Sequence, residues 1–382
     1  MEAKVRWLVR ERRPWCTRDL ACPGHGRVCV SSDPRSYPTL MSTSFRCVHQ
    51  PLMTRSIGLF VTLVFVAAAS VNAQVEAPHG ATSSIADGVD YRVYDRNGQV
   101  TTLSAIVDGS LGAEVLLVGE EHDDMVGHAF QTVLLNEVVR RIGSGSGAGR
   151  TVVLSLEMFE RDVQYVVDEY LAGLITESHF LRSSRPWDDY EGRYRPLVEH
   201  ARAFGLPVIA ANAPRRYVNR VTNEGPESLE SLSEQALRYL PPLPYPGPSD
   251  RYRAQWDALM TEAMLGMQQA SARESAATQA PRAELNPNAI YSQALWDAAM
   301  GHAIARALVA HLGGFVVHMA GSFHVEKGTG ILERIADYRP GTRVKTVVMT
   351  KANDIDAWSE EDHAPLADFV VLTRNPPESG GS

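Results

Sequence analysis

The stretch that most constrains the fold runs from Val115 to Asp124 and reads VLLVGEEHDD. Its first four residues are apolar, which is typical of a strand buried on both faces of a parallel sheet. Gly119 ends the apolar run, and four acidic residues and one histidine follow it. A helical pattern begins directly afterwards, with Asp123 or Asp124 as the expected N-cap. The stretch therefore predicts a strand that delivers ionisable groups to its carboxyl end, where ligands bind in open α/β sheets.

Four later apolar runs repeat this plan, because polar residues follow each of them. These runs are Val152–Leu156, Pro207–Ala211, Phe315–Ala320 and Val344–Met349. Asp368–Leu372 predicts an additional edge strand, and Tyr91–Tyr94 with Asn97-Gly98 predicts a small hairpin. The fold class expected is α/β, with a mostly parallel sheet flanked by helices.

Residues 214–312 contain no convincing strand. They predict a helical insertion between the third and fourth core strands, with helices at Leu229–Leu240, Asp250–Met267 and Tyr291–Leu312. The segment Ala270–Pro287 is rich in Ala, Ser, Gln and Pro and predicts a mobile connection.

The N-terminal part of the chain resembles a secretory signal preceded by an extension. Residues 53–73 combine a short basic start, a thirteen-residue apolar run and a small-residue cleavage site, which is typical of a signal peptide. The alternative is a membrane anchor, although the run is short for a bilayer. Residues 1–52 are interpreted as a non-native, disordered upstream extension, 74–88 as a linker, 89–374 as a single domain and 375–382 as a tail.

Charge and cysteine content narrow the function classes. All four cysteines lie in residues 1–52, so the predicted mature chain needs neither disulfides nor a reducing compartment. Residues 1–55 carry ten Lys/Arg and four Asp/Glu, so the net charge of −8 for the whole chain leaves about −14 for the remainder. A body this acidic argues against a nucleic-acid partner.

The residues that follow separate strands are the candidate catalytic groups. Glu120 and His122 share one side of an extended segment, while Glu121 points away. Glu157 follows the second core strand, and His324 follows the fourth. These four residues are candidates for proton transfer, and His122 and His324 for a divalent metal. The alternatives are a capped helix start with solvated acids and, for Glu157, an ion pair with Arg161 or Arg215.

A second set of residues suits an anionic or iron-containing ligand. Asn212 and Arg215 follow the third core strand, where an arginine favours a carboxylate or phosphate. Tyr190 and Tyr194 lie with Arg193 in an aromatic, arginine-rich loop. A phenol near arginines can ligate ferric iron, and arginines can hold propionates. The alternatives are an arginine that caps carbonyl groups and aromatic rings that pack the loop against the core.

Six blocks of sequence, in order, resemble the ChaN-type haem-binding uptake proteins of the wider Tiki and erythromycin-esterase superfamily. They are Gly119–His122, Leu156–Gln164, Arg185–Trp187, Pro207–Arg215, Gln293–Met300 and Gly321–His324. The resemblance implies an iron-regulated envelope protein that binds haem through a tyrosine, between two subunits. In the superfamily's hydrolases the matching positions are Glu120, His122, Glu157 and His324. No cysteine follows the signal, so a periplasmic or secreted form without a permanent membrane anchor is expected.

Two functions from different classes follow from these observations. The first is haem binding in haem or iron uptake, with Tyr190 or Tyr194 as ligand and Arg193, Arg215 and Asn212 nearby. The second is a hydrolase in which His122 is a general base and His324 an acid, with a divalent metal as a variant. A binding protein for another periplasmic small molecule is the third possibility, and a homodimer is expected. All three require the strand-end residues to meet in one cavity.

Overall fold

The structure, a computed structural model, describes residues 84–143, 149–273 and 286–375, with side chains described up to 266 in the second range. The predicted upstream extension, signal peptide and most of the predicted linker lie outside the described residues. Most of the segment predicted to be a mobile connection and nearly all of the tail do so too. No helix in the described ranges combines the length and the apolar character that crossing a bilayer requires.

Eight strands form one mixed sheet in the order β2-β1-β8-β7-β3-β6-β4-β5. The six strands from β8 to β5 are parallel, and β1 pairs antiparallel with both β8 and β2. Their bounds are β1 Tyr91–Asp95, β2 Val100–Thr101, β3 Val115–Glu120, β4 Val152–Glu160, β5 Val208–Asn212, β6 Phe315–Gly321, β7 Val344–Ala352 and β8 Phe369–Arg374.

The helices lie between these strands along the chain. Their bounds are α1 Leu103–Ser110, α2 Met125–Ile142, α3 Gln164–Leu171, α4 Glu177–Ser184, α5 Tyr190–Arg193, α6 Arg195–Phe204, α7 Arg215–Glu224, α8 Glu234–Leu237, α9 Asp250–Arg273, α10 Ala289–Ala310, α11 Ile331–Tyr338 and α12 Glu360–His363. Short 3-10 turns lie at Arg161–Val163, Pro226–Ser231, Ser322–His324 and Glu326–Gly328.

Strand β3 shows why the sheet is buried on both faces. Leu116 and Val118 join a core with Phe130 and Leu134 of α2, while Val115 and Leu117 join a separate core beneath α7, α10 and α11. Successive side chains of a strand point to opposite faces, so a continuous apolar run supplies both cores at once. Helix α10 is buried almost all round, as expected for a helix packed on the sheet and covered in turn.

The strand order places a topological switch at β3 and β6. The chain passes from β3 to β4 and leaves a space that β6 fills later, and from β6 it crosses to β7 on the other side of β3. Connections that leave neighbouring strands in opposite directions open a crevice at their carboxyl ends. Glu120 is in register with Gly321 across this pair, so both strands end at the same level.

Most of the architecture predicted from the sequence is confirmed. The α/β class, the parallel core strands, the hairpin and the helical insertion all occur, and Asp124 caps α2 through its carboxylate and the Gly127 amide. The prediction of an edge strand near Asp368 was wrong, because β8 lies between β7 and β1. The single helix predicted at Leu229–Leu240 was also wrong, because a 3-10 turn and the four-residue α8 occupy this stretch.

Candidate functional site

Glu120 is the centre of a buried polar network at the end of β3. Its Oε1 accepts hydrogen bonds from His122 Nδ1 and from the Tyr194 hydroxyl, both at 2.9 Å. Its Oε2 accepts a short hydrogen bond from Gln131 and lies 3.5 Å from His128 Nδ1. Burial alone would raise the pKa of Glu120, but the two histidines and these hydrogen bonds lower it to about 2. The carboxylate is therefore held ionised.

His122 carries the accessible imidazole of the site. About 28% of its side chain is exposed, and Trp187 packs edge-on against its ring. Burial would lower the pKa of His122, but the hydrogen bond to Glu120 and the charges of Glu120 and Glu157 raise it. The Nδ1–H···carboxylate bond fixes the tautomer and leaves Nε2 for a reacting group.

Glu157 and His324 form the second half of the site. Glu157 Oε2 accepts the Gly321 amide at 2.7 Å, and its Oε1 lies 3.8 Å from His324 Nε2. His324 Nδ1 in turn lies 2.7 Å from Asp297 of α10. Burial would lower the pKa of His324, but the Asp297 and Glu157 charges raise it to about 9. His324 is thus a cation at neutral pH, held between two carboxylates.

Gly321 allows the two halves to approach each other. A Cβ atom on this residue would lie 3.1 Å from Cε1 and Nε2 of His122 and 3.8 Å from Glu157 Oε2. The His122 ring therefore rests directly on the end of β6, beside Glu157. The convergence predicted from the sequence is what the structure shows: His122, Glu157 and His324 meet at one cluster.

Glu121 and His318 lie next to the cluster along the chain, and their side chains do not take part in it. Glu121 turns away from the cluster, accepts a hydrogen bond from the Thr350 hydroxyl and lies 3.6 Å from Lys351. His318 is buried in β6 with Nδ1 bonded to Ser155, and burial lowers its pKa to about 3. It is a neutral core histidine. The alternative considered for Glu157, an ion pair with Arg161 or Arg215, does not occur among the described residues, since Glu157 accepts a backbone amide and faces histidines.

The predicted tyrosine ligands are both buried. Tyr194 is 1% exposed and donates to Glu120, and Tyr190 is 5% exposed against the rings of Phe159 and Phe180. Burial is the main cause that raises the pKa of each phenol, and nearby carboxylates add to it. In this arrangement neither phenol faces solvent, and ionisation of both is disfavoured.

The remaining predicted ligand residues lie apart from the cluster's histidines. Arg193 forms an ion pair with Asp189 at 3.1 Å. Asn212 ends β5 with its Oδ1 bonded to the Ala213 amide, and Arg215 begins α7. Within the described ranges, no hydrogen bond or ion pair joins Arg193 or Asn212 to His122 or His324.

Asp297 and Tyr194 are the two members of the site whose roles the sequence reasoning missed. Asp297 lies among apolar neighbours in the middle of α10. A carboxylate in such a helix needs a buried partner, and this was the available signal. Tyr194 was considered as an iron ligand, whereas the structure uses it to orient Glu120.

The residues do not form a conventional site for a divalent metal. Among the described residues, no three His, Cys, Asp or Glu side chains are arranged to hold a metal ion. His122 and His324, the predicted ligands, each engage a carboxylate through Nδ1.

The fold and site define an α/β protein whose ionisable residues gather at a topological switch. A family model described as "Haem-binding uptake, Tiki superfamily, ChaN" matches residues 106–335, more than half of the chain. The chain belongs to this family. The curated proteins contain no match.

Three solved structures show the extent of the likeness. ChaN of Campylobacter jejuni, described with cofacial haem binding, is 17% identical, with a TM-score of 0.53 over 76% of this chain and 100% of that chain. The type III effector HopBA1 is 12% identical, with a TM-score of 0.38 over 72% and 94%. A mutant of the erythromycin esterase EreC in its open conformation is 12% identical, with a TM-score of 0.38 over 74% and 82%. The likeness to ChaN shows the fold, and the two weaker likenesses add no argument about function.

Proposed function

We propose that this protein binds haem. The observation that carries the proposal is the family match, which spans residues 106–335 and so includes every member of the strand-end cluster.

Tyr165 is the residue that we propose as the axial ligand. The resemblance to ChaN implies ligation by a tyrosine, and an iron ligand must reach a haem that enters from solvent. Of the twelve tyrosines in the described ranges, Tyr165 alone is exposed, with 65% of its surface accessible. It lies in the first turn of α3, just after β4, and therefore near the carboxyl edge of the sheet. Tyr165 is already exposed to water, so binding iron through its phenol would disturb neither the hydrogen bonds of Glu120 nor the packing of the core.

The cellular role is proposed from the sequence and the family together. We propose a periplasmic or secreted protein that takes part in haem or iron uptake, with cleavage after residue 73. A haem-linked homodimer is part of this proposal. Light scattering is the direct readout for this dimer, because the structure describes a single chain. Cell fractionation and the mass of the mature chain test the location, and light scattering with and without haemin tests the assembly.

The direct test of haem binding is a haemin titration of the full chain. We expect a shift of the Soret band that saturates at a fixed stoichiometry, and native mass spectrometry should show the corresponding mass. A spectrum identical to free haemin at every ratio would remove the proposal. The chain unfolded by denaturant is the control for non-specific association.

A hydrolase is the second candidate, and a specific arrangement favours it. The Glu120–His122 pair holds an oriented imidazole beside Glu157, and Glu157 Oε1 lies 3.8 Å from Nε2 of the His324 cation. His122 would remove a proton from water through Nε2, and His324 would stabilise the developing oxyanion or protonate the leaving group. This activity and haem binding use different residues, so one does not exclude the other.

The pH profile of an ester hydrolysis tests this second candidate. Activity should rise with pH as His122 loses its proton, above the ordinary range of histidine because its pKa is raised. It should fall again as His324 loses its proton near pH 9. His122→Ala should remove the activity, whereas the exposed control His179→Ala should keep it. Hydrolysis that survives His122→Ala would rule out this mechanism.

A further inference from the structure

A groove runs along the free edge of the sheet, outside the strand-end cluster. Its volume is about 590 Å³, within the range of small-molecule sites. The floor is the start of β5, and the walls are α3, α6 and the second half of α10. Apolar side chains cover much of its surface, including Leu171, Leu206 and Ile209.

Three arginines face this groove, and two of them lack a counter-ion. The guanidinium groups of Arg161 and Arg306 make no hydrogen bond or ion pair with any described residue, and the charge of Arg306 lowers the pKa of Arg161. Arg202 stacks over the Tyr170 ring and lies 4.0 Å from Glu199. Asp168 is the one acid lining the groove, and it accepts a hydrogen bond from Gln164. The lining therefore carries an excess of positive charge.

The positive charge of the groove lowers the pKa of two groups, Arg161 and His302. Burial lowers the pKa of Arg161, and the like charge of Arg306 lowers it further. Burial, Arg161 and Arg306 together lower the pKa of His302 to about 4, so His302 is neutral at physiological pH. A half-buried guanidinium without a partner is costly in the free protein, and an anion would relieve that cost.

The edge of β5 is closed to an added peptide strand at this point. Gln164 Nε2 donates to the Val208 carbonyl, and Gln164 Oε1 accepts the Ala210 amide, both at 2.8 Å. The side-chain amide thus occupies the outward-facing backbone groups that an incoming strand would need. A ligand of the groove must instead use the guanidinium groups and the apolar wall.

We propose that this groove binds the carboxylate of an amphipathic ligand, with Arg161 and Arg306 holding the carboxylate and the apolar wall covering the hydrophobic body. Arginine matches carboxylate geometry with two parallel hydrogen bonds. Haem propionates and a fatty-acid carboxylate share this chemistry. If the ligand is haem, the proposal rests on the proposed function, and the proposed iron ligand Tyr165 directly follows Gln164, which lines the groove. If the ligand is a fatty acid, the proposal is independent of haem binding.

The proposal is tested by comparing each carboxylate ligand with an analogue that lacks the carboxylate. Binding of decanoate is compared with decanol, and binding of haemin with its dimethyl ester, on the full chain. Arg161→Gln and Arg306→Gln should weaken at least one of the two acids about tenfold, equal to about 1.4 kcal/mol. The alcohol and the ester should be unaffected by either variant. Arg140→Gln, an exposed change on α2, is the matched control and should alter nothing.

The outcomes separate the two sources and the two proposals. Loss of affinity for haemin alone assigns the groove to propionates, and loss for decanoate alone assigns it to a fatty acid. Equal affinity of both variants and the wild type for both acids would overturn the groove proposal, as would failure of the wild type to bind either acid. Failure of haem binding as such appears separately, as an unshifted Soret band in the wild type. Arg306 is exposed, so Arg306→Gln remains informative if Arg161→Gln folds poorly.

Discussion

Glu120 in the strand-end cluster and Arg161 in the edge groove are both charged groups withdrawn from water, and their surroundings differ sharply. Glu120 accepts hydrogen bonds from His122, Gln131 and Tyr194. The Arg161 guanidinium has no acidic partner among the described residues, and its electrostatic neighbours are the like-charged Arg306 and the neutral His302. Glu120 finds its hydrogen-bond partners within the protein, whereas the proposed partner of Arg161 is the carboxylate of a bound ligand. A satisfied network orients an imidazole for chemistry, and an uncompensated cation indicates a ligand.

The largest effect expected is the loss of Glu120. Glu120→Ala should lower the free energy of unfolding by about 3–5 kcal/mol, because it leaves buried donors without an acceptor and opens a cavity. Glu121→Ala, on the neighbouring residue, should cost about 1 kcal/mol, since it removes a partly exposed ion pair. Chemical denaturation measures both. Equal effects would show that the Glu120 network does not stabilise the fold.

A smaller effect is expected from the His324 cation. Its pKa is raised to about 9 in the folded protein from an ordinary 6.5, so its contribution to stability is complete below pH 6.5 and is lost as pH rises through 9. The loss is about 3 kcal/mol. Melting temperatures across this range should fall for the wild type and fall less for His324→Gln. Parallel profiles for the two proteins would contradict the assigned charge.

The smallest effect, with the opposite sign, is expected in the groove. Arg161→Leu should raise the free energy of unfolding by about 1 kcal/mol, because it removes a half-buried charge that has no counter-ion. Arg195→Leu is the matched control and should lower stability, since Arg195 forms an ion pair with Glu177. A stability loss in Arg161→Leu equal to that in Arg195→Leu would mean that Arg161 has a partner and that the comparison fails.

Part of the strand-end cluster was predictable because Glu120, Glu157 and His324 lie at or shortly after the ends of apolar runs. Parallel strands bring their carboxyl ends to one edge, so Glu120, Glu157 and His324 were expected to converge. Alternation along extended backbone also predicted that Glu121 would turn away from His122. Both expectations depend on local sequence and one topological rule.

The role of Asp297, the groove and the exposure of the tyrosines could not be predicted from the sequence, because they depend on tertiary packing. Asp297 reaches His324 from a helix that precedes it by nearly thirty residues, and no spacing rule joins them. The groove collects side chains from α3, α6, β5 and α10, so it leaves no motif. The exposure of Tyr165 and the burial of Tyr190 and Tyr194 depend on how α3 and the aromatic loop pack, which hydrophobic periodicity does not fix.

The most direct test of the account is the visible spectrum of the haemin complex in three proteins: the wild type, Tyr165→Phe and Tyr194→Phe. We expect the wild type and Tyr194→Phe to share one ferric tyrosinate spectrum, because Tyr194 binds Glu120 in the core. Tyr165→Phe should lose that spectrum. A Tyr165→Phe complex indistinguishable from the wild type, with the signal lost in Tyr194→Phe instead, would contradict the assignment of the ligand to the exposed tyrosine.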